Sequence, residues 1–282
     1  MKSRDGAGHP ETVYVKLGGS LITDKTRPMT ARPHVLHRLA GEIWAALADR
    51  PQIKLLLGHG SGSFGHVVGQ EYNVRAGVKG ARGWEGYART AAAAARLNRI
   101  VTDIFLEEQV MVVSLPPSAS AWCYDGALVH LETRPVRRLL EVGVVPLVFG
   151  DVALDAVRGG TIVSTEEVFA FLALQPPPLR PDRILLVGEV AGVYSADPHK
   201  VADAELIPLL TVEDIEGLVG LTGSHAVDVT GGMATKVRSM TTLLQHLPHL
   251  HIQIFSGLEE GNLYRALVEP GASLGTRIVA GA

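Results

Sequence analysis

Three glycine-bearing segments each carry a lysine or histidine in or beside them: "KLGGSL" (16–21), "GHGSGSFGH" (58–66) and "DVTGGMATK" (228–236). Bare backbone of this kind lets N–H groups approach an anion closely, and a helix that follows adds the positive end of its dipole. One such loop is commonly only a turn; three with cationic companions point to phosphate chemistry. Lys16 falls late in a stretch that otherwise reads as buried, so its ammonium must snorkel or meet an anion. Lys25, in "ITDKTRP", sits in an exposed-looking loop. Lys236 falls near the start of a predicted helix, where a cation opposes the dipole unless an anion is bound. His59 fits a core histidine satisfied by backbone, whereas His66, at the mouth of the second loop, is the better candidate for touching substrate.

Known signatures narrow the chemistry. There is no GxxxxGK[ST], which excludes a P-loop enzyme. Residues 60–65, "GSGSFG", formally match GxGxxG, so nicotinamide binding has to be weighed. The match follows the second strand rather than the first, no acid-terminated strand follows at the usual distance, and the other two glycine loops are left unused. Phosphate transfer is the stronger reading.

The elements that position these residues follow an alternating rhythm. "TVYVKLGGSLI" (12–22) reads as a strand ending in a glycine turn, and 32–50 as a helix with Leu36, Leu39, Ile43 and Leu47 on one face, closed by Pro51. "QIKLLLG" is an apolar strand without alternation, as a strand covered on both faces should be. A long helix is expected over 83–109, strands over 110–115 and 144–152, and a helix over 164–174 capped by Ser164 or Thr165. Beyond the rigid connector "QPPPLRP" (175–181) come a strand at "DRILLVGEV", a helix at "GGMATKVRSMTTLLQHL", and strands at "HIQIFSG" and "GTRIVAG". Strand–helix alternation predicts an α/β fold on a mostly parallel sheet. The first eleven residues read as an extension and 12–282 as a single domain, with an N-terminal lobe over about 12–178 and a C-terminal lobe over about 179–282 that share one sheet.

Composition bounds the partners. The chain has 282 residues, 46% hydrophobic and 20% charged, with a net charge of −3. That balance supplies no global field for nucleic acid. No apolar stretch is long enough to span a bilayer, and "MKSRDGAGHPE" lacks a signal-peptide core. Cys123 is the only cysteine. It allows no intramolecular disulfide and fits a reducing, cytoplasmic setting.

Taken in order, these motifs resemble the amino acid kinase superfamily, and within it the isopentenyl phosphate kinases. "VYVKLGGSLITDK" resembles their opening strand and lysine-bearing loop, and "GHGSGSFGH" their glycine run ending in Ser-Phe-Gly-His. "VPLVFGDVALD" (145–155), "GVYSADP" (192–198), "DVTGGMATK" and "GTRI" (275–278) correspond to later motifs. The resemblance implies a three-layer αβα sandwich around a mainly parallel sheet, a homodimer, and transfer of the ATP γ-phosphoryl to isopentenyl phosphate with Mg²⁺. It also implies roles: Lys16, Lys25, His66, Lys236 and Glu166 in catalysis, with Glu166 standing where the family's lysine-orienting aspartate is expected. Gly18, Gly19, Ser20, Gly60, Ser61, Gly62, Gly65, Gly150 and Asp151 would surround the acceptor. Lys16, Gly19, Gly188, Tyr194, Asp197, Gly231, Gly232 and Lys236 would hold ATP.

The acceptor's five-carbon tail needs an apolar wall, and Trp84, Tyr87, Ala88, Ala91 and Ala92 on the long helix are the candidates. The run of alanines there suggests room for longer prenyl monophosphates. The chain departs from the family pattern twice: Ser164-Thr165-Glu166 replaces Ser-Gly-Asp, and "GEVAGVY" (188–194) puts Glu189 and Ala191 where two acids are expected. Two alternatives therefore stay open, a fosfomycin-kinase-like or other small-acid kinase, and a phosphate-ligand-binding protein without turnover.

Overall fold

The central strands are apolar without alternation because helices cover the sheet on both faces. Along β1 (Glu11–Leu17), Val13, Val15 and Leu17 enter one core while Tyr14 enters the other. β2 (Ile53–His59) divides its side chains the same way, with Leu55 and Leu57 opposite Leu56. The computed structural model describes residues 10–196, 201, 203–215 and 232–281, with the side chains of His66, Val67, 232–236, 238 and 239 left out.

The main sheet has eight strands in the order β10-β12-β11-β9-β1-β2-β6-β3. They are β3 (Val112–Ser114), β6 (Val145–Phe149), β9 (Arg183–Gly188), β10 (Leu209–Thr211), β11 (His251–Ser256) and β12 (Thr276–Val279), together with β1 and β2. All neighbours run parallel except β11 and β12. Helices α2 (Pro33–Asp49), α4 (Gly80–Glu107) and α8 (Asn262–Val268) pack on the first core. Helices α5 (Arg134–Glu141), α6 (Thr165–Ala173) and α7 (Gly232–His246) pack on the second, which completes the three-layer αβα sandwich. The long helix begins three residues before its predicted start.

Three expectations change. The segment 12–22 is not one strand: β1 stops at Leu17, and Gly19–Ile22 forms the short helix α1. The stretch 144–152 is also two elements. β6 ends at Phe149, and after Gly150 the chain enters β7 (Asp151–Asp155), part of a separate four-stranded sheet with β4 (Trp122–Tyr124), β5 (Ala127–His130) and β8 (Gly159–Val163). A continuous apolar run carries no mark of which sheet each half will join; only Gly150 punctuates it. Finally, "GSFGHVVGQE" is helix α3 (Gly62–Glu71), which puts His66 inside a helix rather than in an open loop. Phe64 drives this, since it is 3% exposed and belongs to the first core.

Candidate active site

The carboxyl ends of four adjacent strands, β9, β1, β2 and β6, form a row of glycine turns. Ligands of open parallel sheets bind at this edge. Gly188 ends β9, Gly18 and Gly19 follow β1, Gly60 to Gly62 follow β2, and Gly150 follows β6. Gly18 N–H donates to Val187 O at 2.7 Å, Gly60 N–H to Leu17 O at 3.0 Å, and Gly150 N–H to His59 O at 3.2 Å. Each turn is thereby stitched to the strand beside it.

These bonds correct part of the sequence reading. The amides of Gly18, Gly60 and Gly150 are spent on the scaffold, so they do not cradle a phosphate. Gly65 N–H goes to Ser61 O at 3.2 Å, and a Cβ on Gly65 would come within 2.6 Å of Ser61 Cβ, so that glycine is bare to let its own turn close. Gly58 is bare for packing: a Cβ there would lie 2.6 Å from Thr165 and 2.8 Å from Phe169 of α6. Among the described residues, the N–H groups of Gly19, Ser20, Ser61 and Gly62 are open to an anion, since no acceptor is found for them. Gly19 and Ser20 lie in the first turn of α1 and Gly62 in that of α3, where helical N–H groups lack partners by geometry. A single-turn helix such as α1 offers those amides but little dipole, so α3 supplies most of the field.

The first two glycine turns touch. A Cβ on Gly19 would sit 2.4 Å from Gly62 N and one on Gly60 3.0 Å from Gly19 N. Gly62 itself has φ +49, and a Cβ there would meet Thr23 Oγ1 at 2.2 Å. The missing side chains thus serve turn against turn before they serve any ligand.

Lys16 is the buried cation of this row. It is 6% exposed and pairs across the sheet with Gly58 on one side and Leu186 on the other. Its side chain projects to the α6 face, where Nζ meets Glu166 Oε1 at 2.5 Å. The α6 N-terminus decides which of two adjacent acids does this. Ser164 Oγ accepts from Glu167 N–H, and the Glu167 carboxylate accepts from Ser164 N–H at 2.6 Å, a capping box. Glu167 also binds Arg75 at 2.7 Å. Glu166, one residue earlier, is turned toward Lys16.

His59 lies behind the row with no exposure, stacked on Phe149 at 5.4 Å between centroids. Its Nδ1 is 3.1 Å from Gly60 O and its Nε2 3.2 Å from the Asn98 amide oxygen. Burial holds its pKa below the ordinary value, so it is a neutral prop under the second turn, in line with the core reading. Asp151, 2% exposed, accepts from Ser118 N–H at 3.1 Å and Val152 N–H at 2.8 Å, and burial raises its pKa. Lys25 is exposed on the loop between Thr23 and Ala31, whose ends pair as an antiparallel bridge.

The candidate tail wall is narrower than expected. Ala88 and Ala92 are exposed, while Tyr87 and Ala91 are half-buried against Val74, Val78 and Val152. Trp84 is 45% exposed and meets Tyr87 edge-on at 5.5 Å. Among the residues expected on the nucleotide side, Glu189 pairs with Arg32 at 2.8 Å, and half-buried Tyr194 bridges Leu206. Asp197 and Gly231 lie outside the described residues; Gly232 opens α7, which packs against α6, and Lys236 lies on that helix. The side chains of His66 and Lys236 are not among those described. Sequence reasoning missed Thr23, Ser63 and Asn98, because each acts on a residue distant in the chain.

A parallel sheet edge with two touching glycine turns, a buried lysine and helix-borne amides suits transfer between anions. The model of the amino acid kinase family matches residues 11–256, and the chain belongs to that family. The relatives it matches end to end are more particular. It is 34% identical to the isopentenyl phosphate kinase of Methanothermobacter thermautotrophicus over 94% of this chain and 98% of that one. It is 31% identical to the isopentenyl phosphate kinase of Methanocaldococcus jannaschii, over 94% and 97% respectively. A solved isopentenyl phosphate kinase structure superposes with a TM-score of 0.80 at 31% identity, covering 95% of this chain and all of the other.

Proposed function

We propose that the protein transfers the γ-phosphoryl group of ATP to isopentenyl phosphate, giving isopentenyl diphosphate. The observation that carries this is Lys16, buried at the centre of the glycine row and held by Glu166, in a chain that matches isopentenyl phosphate kinases over nearly its whole length. That match favours isopentenyl phosphate over a fosfomycin-type or other acid acceptor, and turnover over mere binding.

The acceptor phosphate is already a competent nucleophile, so no strong general base is needed. The protein must hold two mutually repelling anions in line and neutralise the charge that develops between them. Lys16 meets the transferring group, and Glu166 keeps its ammonium aimed there when the site is empty of phosphate. The amides of Gly19, Ser20, Ser61 and Gly62 hold phosphate oxygens. Lys25, carried on the exposed loop, adds a second cation to the transferring group. His66 in α3 holds the acceptor phosphate, acting best as imidazolium because a charge-assisted donor is the stronger one. Gly188, Tyr194, Asp197, Gly231, Gly232 and Lys236 form the ATP side, and Trp84, Tyr87 and Ala91 the wall for the tail.

Among the described residues no group of three His, Cys, Asp or Glu side chains is spaced to hold a metal ion. Mg²⁺ would instead arrive on the ATP phosphates, its usual mode, and supply charge neutralisation there. We also place the enzyme in the cytoplasm, as a homodimer, with no nucleic-acid or membrane partner; no helix among the described residues is long and apolar enough to cross a membrane. The test is an ATP-consumption assay with isopentenyl phosphate, fosfomycin and acidic amino acids as acceptors. Turnover of isopentenyl phosphate that falls sharply in His66→Ala is expected. Preference for another acceptor, or an unaffected His66→Ala, would overturn the reading or that residue's role.

A further inference from the structure

Thr23 closes α1, the helix of the first glycine turn, with its N–H donating to Gly19 O at 3.0 Å, and its side chain ties that turn to the second. It is fully buried. Its Oγ1 donates to Gly19 O at 2.6 Å, in the first turn, and accepts from Ser63 N–H at 3.0 Å, in the second. The Ser63 N–H lies in the first turn of α3, where no helical acceptor exists, and Ser61 offers α3 no side-chain cap. Thr23 therefore caps α3 from another element. Its backbone also pairs with Ala31, closing the loop that carries Lys25, and that loop returns a bond from Met29 N–H to Ser63 O at 3.2 Å.

We propose that Thr23 is a positioning residue that sets the distance between the two phosphate-binding turns and so aligns donor and acceptor phosphates. This rests on the kinase reading above. One hydroxyl donates to one turn and accepts from the other at the same time, which among small side chains only serine and threonine do. The branched Cβ restricts its rotamer, so the hydroxyl is delivered in a fixed direction. The strands beneath are already locked in register by β1–β2 pairing. Loss of the hydroxyl leaves the sheet intact and lets the turns drift, and small displacements between reacting groups weigh heavily on rate.

The experiment compares Thr23→Val, which keeps the shape without the hydrogen bonds, with Thr23→Ser, which keeps the hydroxyl. Steady-state kinetics are measured with ATP and isopentenyl phosphate, alongside thermal unfolding. Thr23→Val is expected to lose tenfold or more in kcat, by about the magnitude that misaligned reactants cost, with KM for each substrate within about threefold, since each turn still binds its own phosphate. Thr23→Ser should stay within about threefold of wild type. A residue that serves stability alone would lower the melting temperature and leave kcat per folded molecule unchanged. A Thr23→Val enzyme with wild-type kcat, or a Thr23→Ser enzyme that is equally impaired, overturns the proposal. If Thr23→Val does not fold, Thr23→Ala takes its place, and a tenfold loss in the well-folded Thr23→Ser would by itself be fatal. A wild-type chain inactive on isopentenyl phosphate would instead refute the substrate reading; the same comparison then runs on whichever acid acceptor it phosphorylates.

Discussion

Glu166→Gln isolates the interaction on which the site is built. The Lys16 and Glu166 side chains are only 7% and 11% exposed and meet at 2.5 Å. An amide in place of the carboxylate leaves a buried ammonium without its counter-charge, which typically costs 3–5 kcal/mol. The amide oxygen still accepts a hydrogen bond, so the lower end, about 3 kcal/mol, is the working figure. At roughly 2–4 °C per kcal/mol for a chain of this size, the melting temperature should fall by about 6–12 °C. In the proposed mechanism ATP brings its own negative charge to Lys16, so a non-hydrolysable ATP analogue should stabilise Glu166→Gln by more degrees than it stabilises wild type. Turnover should fall about tenfold to a hundredfold, because the lysine is no longer aimed before substrate arrives. Glu166→Asp, with charge but a shorter arm, should lie between. Calorimetry with and without the analogue, paired with kcat, decides the matter. A Glu166→Gln enzyme that melts within about 2 °C of wild type and turns over normally would refute the reasoning.

Other consequences are equally specific. Gly62→Ala should destabilise the chain by about 3 kcal/mol in urea titration, because a Cβ there meets Thr23 and Gly19 at positive φ; Gly143→Ala, at φ +74 with nothing within 4 Å, should cost only about 1 kcal/mol. His59 has a depressed folded pKa, so the unfolded chain binds the extra proton. Stability should therefore decline as pH falls below about 6.5, by up to about 1.4 kcal/mol per unit, and His59→Gln should flatten that slope. Cys123 is fully buried and its thiol is pushed up to about 11, so iodoacetamide at pH 8 should label it only after denaturation. Ala91 is a small side chain packed on the Val74, Val78 and Val152 cluster, so wild type should accept dimethylallyl and geranyl phosphates and Ala91→Phe should restrict it to five carbons. A sharp loss beyond five carbons in wild type, with Ala91→Phe changing nothing, would exclude the roomy-pocket reading.

The sequence by itself determined the α/β class, the placement of seven of the main sheet's eight strands and of helices α2, α4, α6 and α7, and the three glycine segments where chemistry was expected. Those features are local: period, punctuation and residue type within a dozen positions suffice. It also marked Lys16 as a cation that must either snorkel or meet an anion, since a charge late in an apolar strand is costly wherever the strand lies. The tertiary structure decided what that anion is in the resting site. Glu166 is 150 residues away in sequence, and only the capping box that occupies Glu167 turns the right carboxylate inward. It likewise decided which glycines are bare for a ligand and which for a neighbour. Gly58 makes room for Phe169, and Gly62 for Thr23, contacts that no window of sequence contains. The split of 144–152 between two sheets has the same origin, because strand partners are chosen by hydrogen bonds between distant segments, while the apolar pattern records only that both halves are buried.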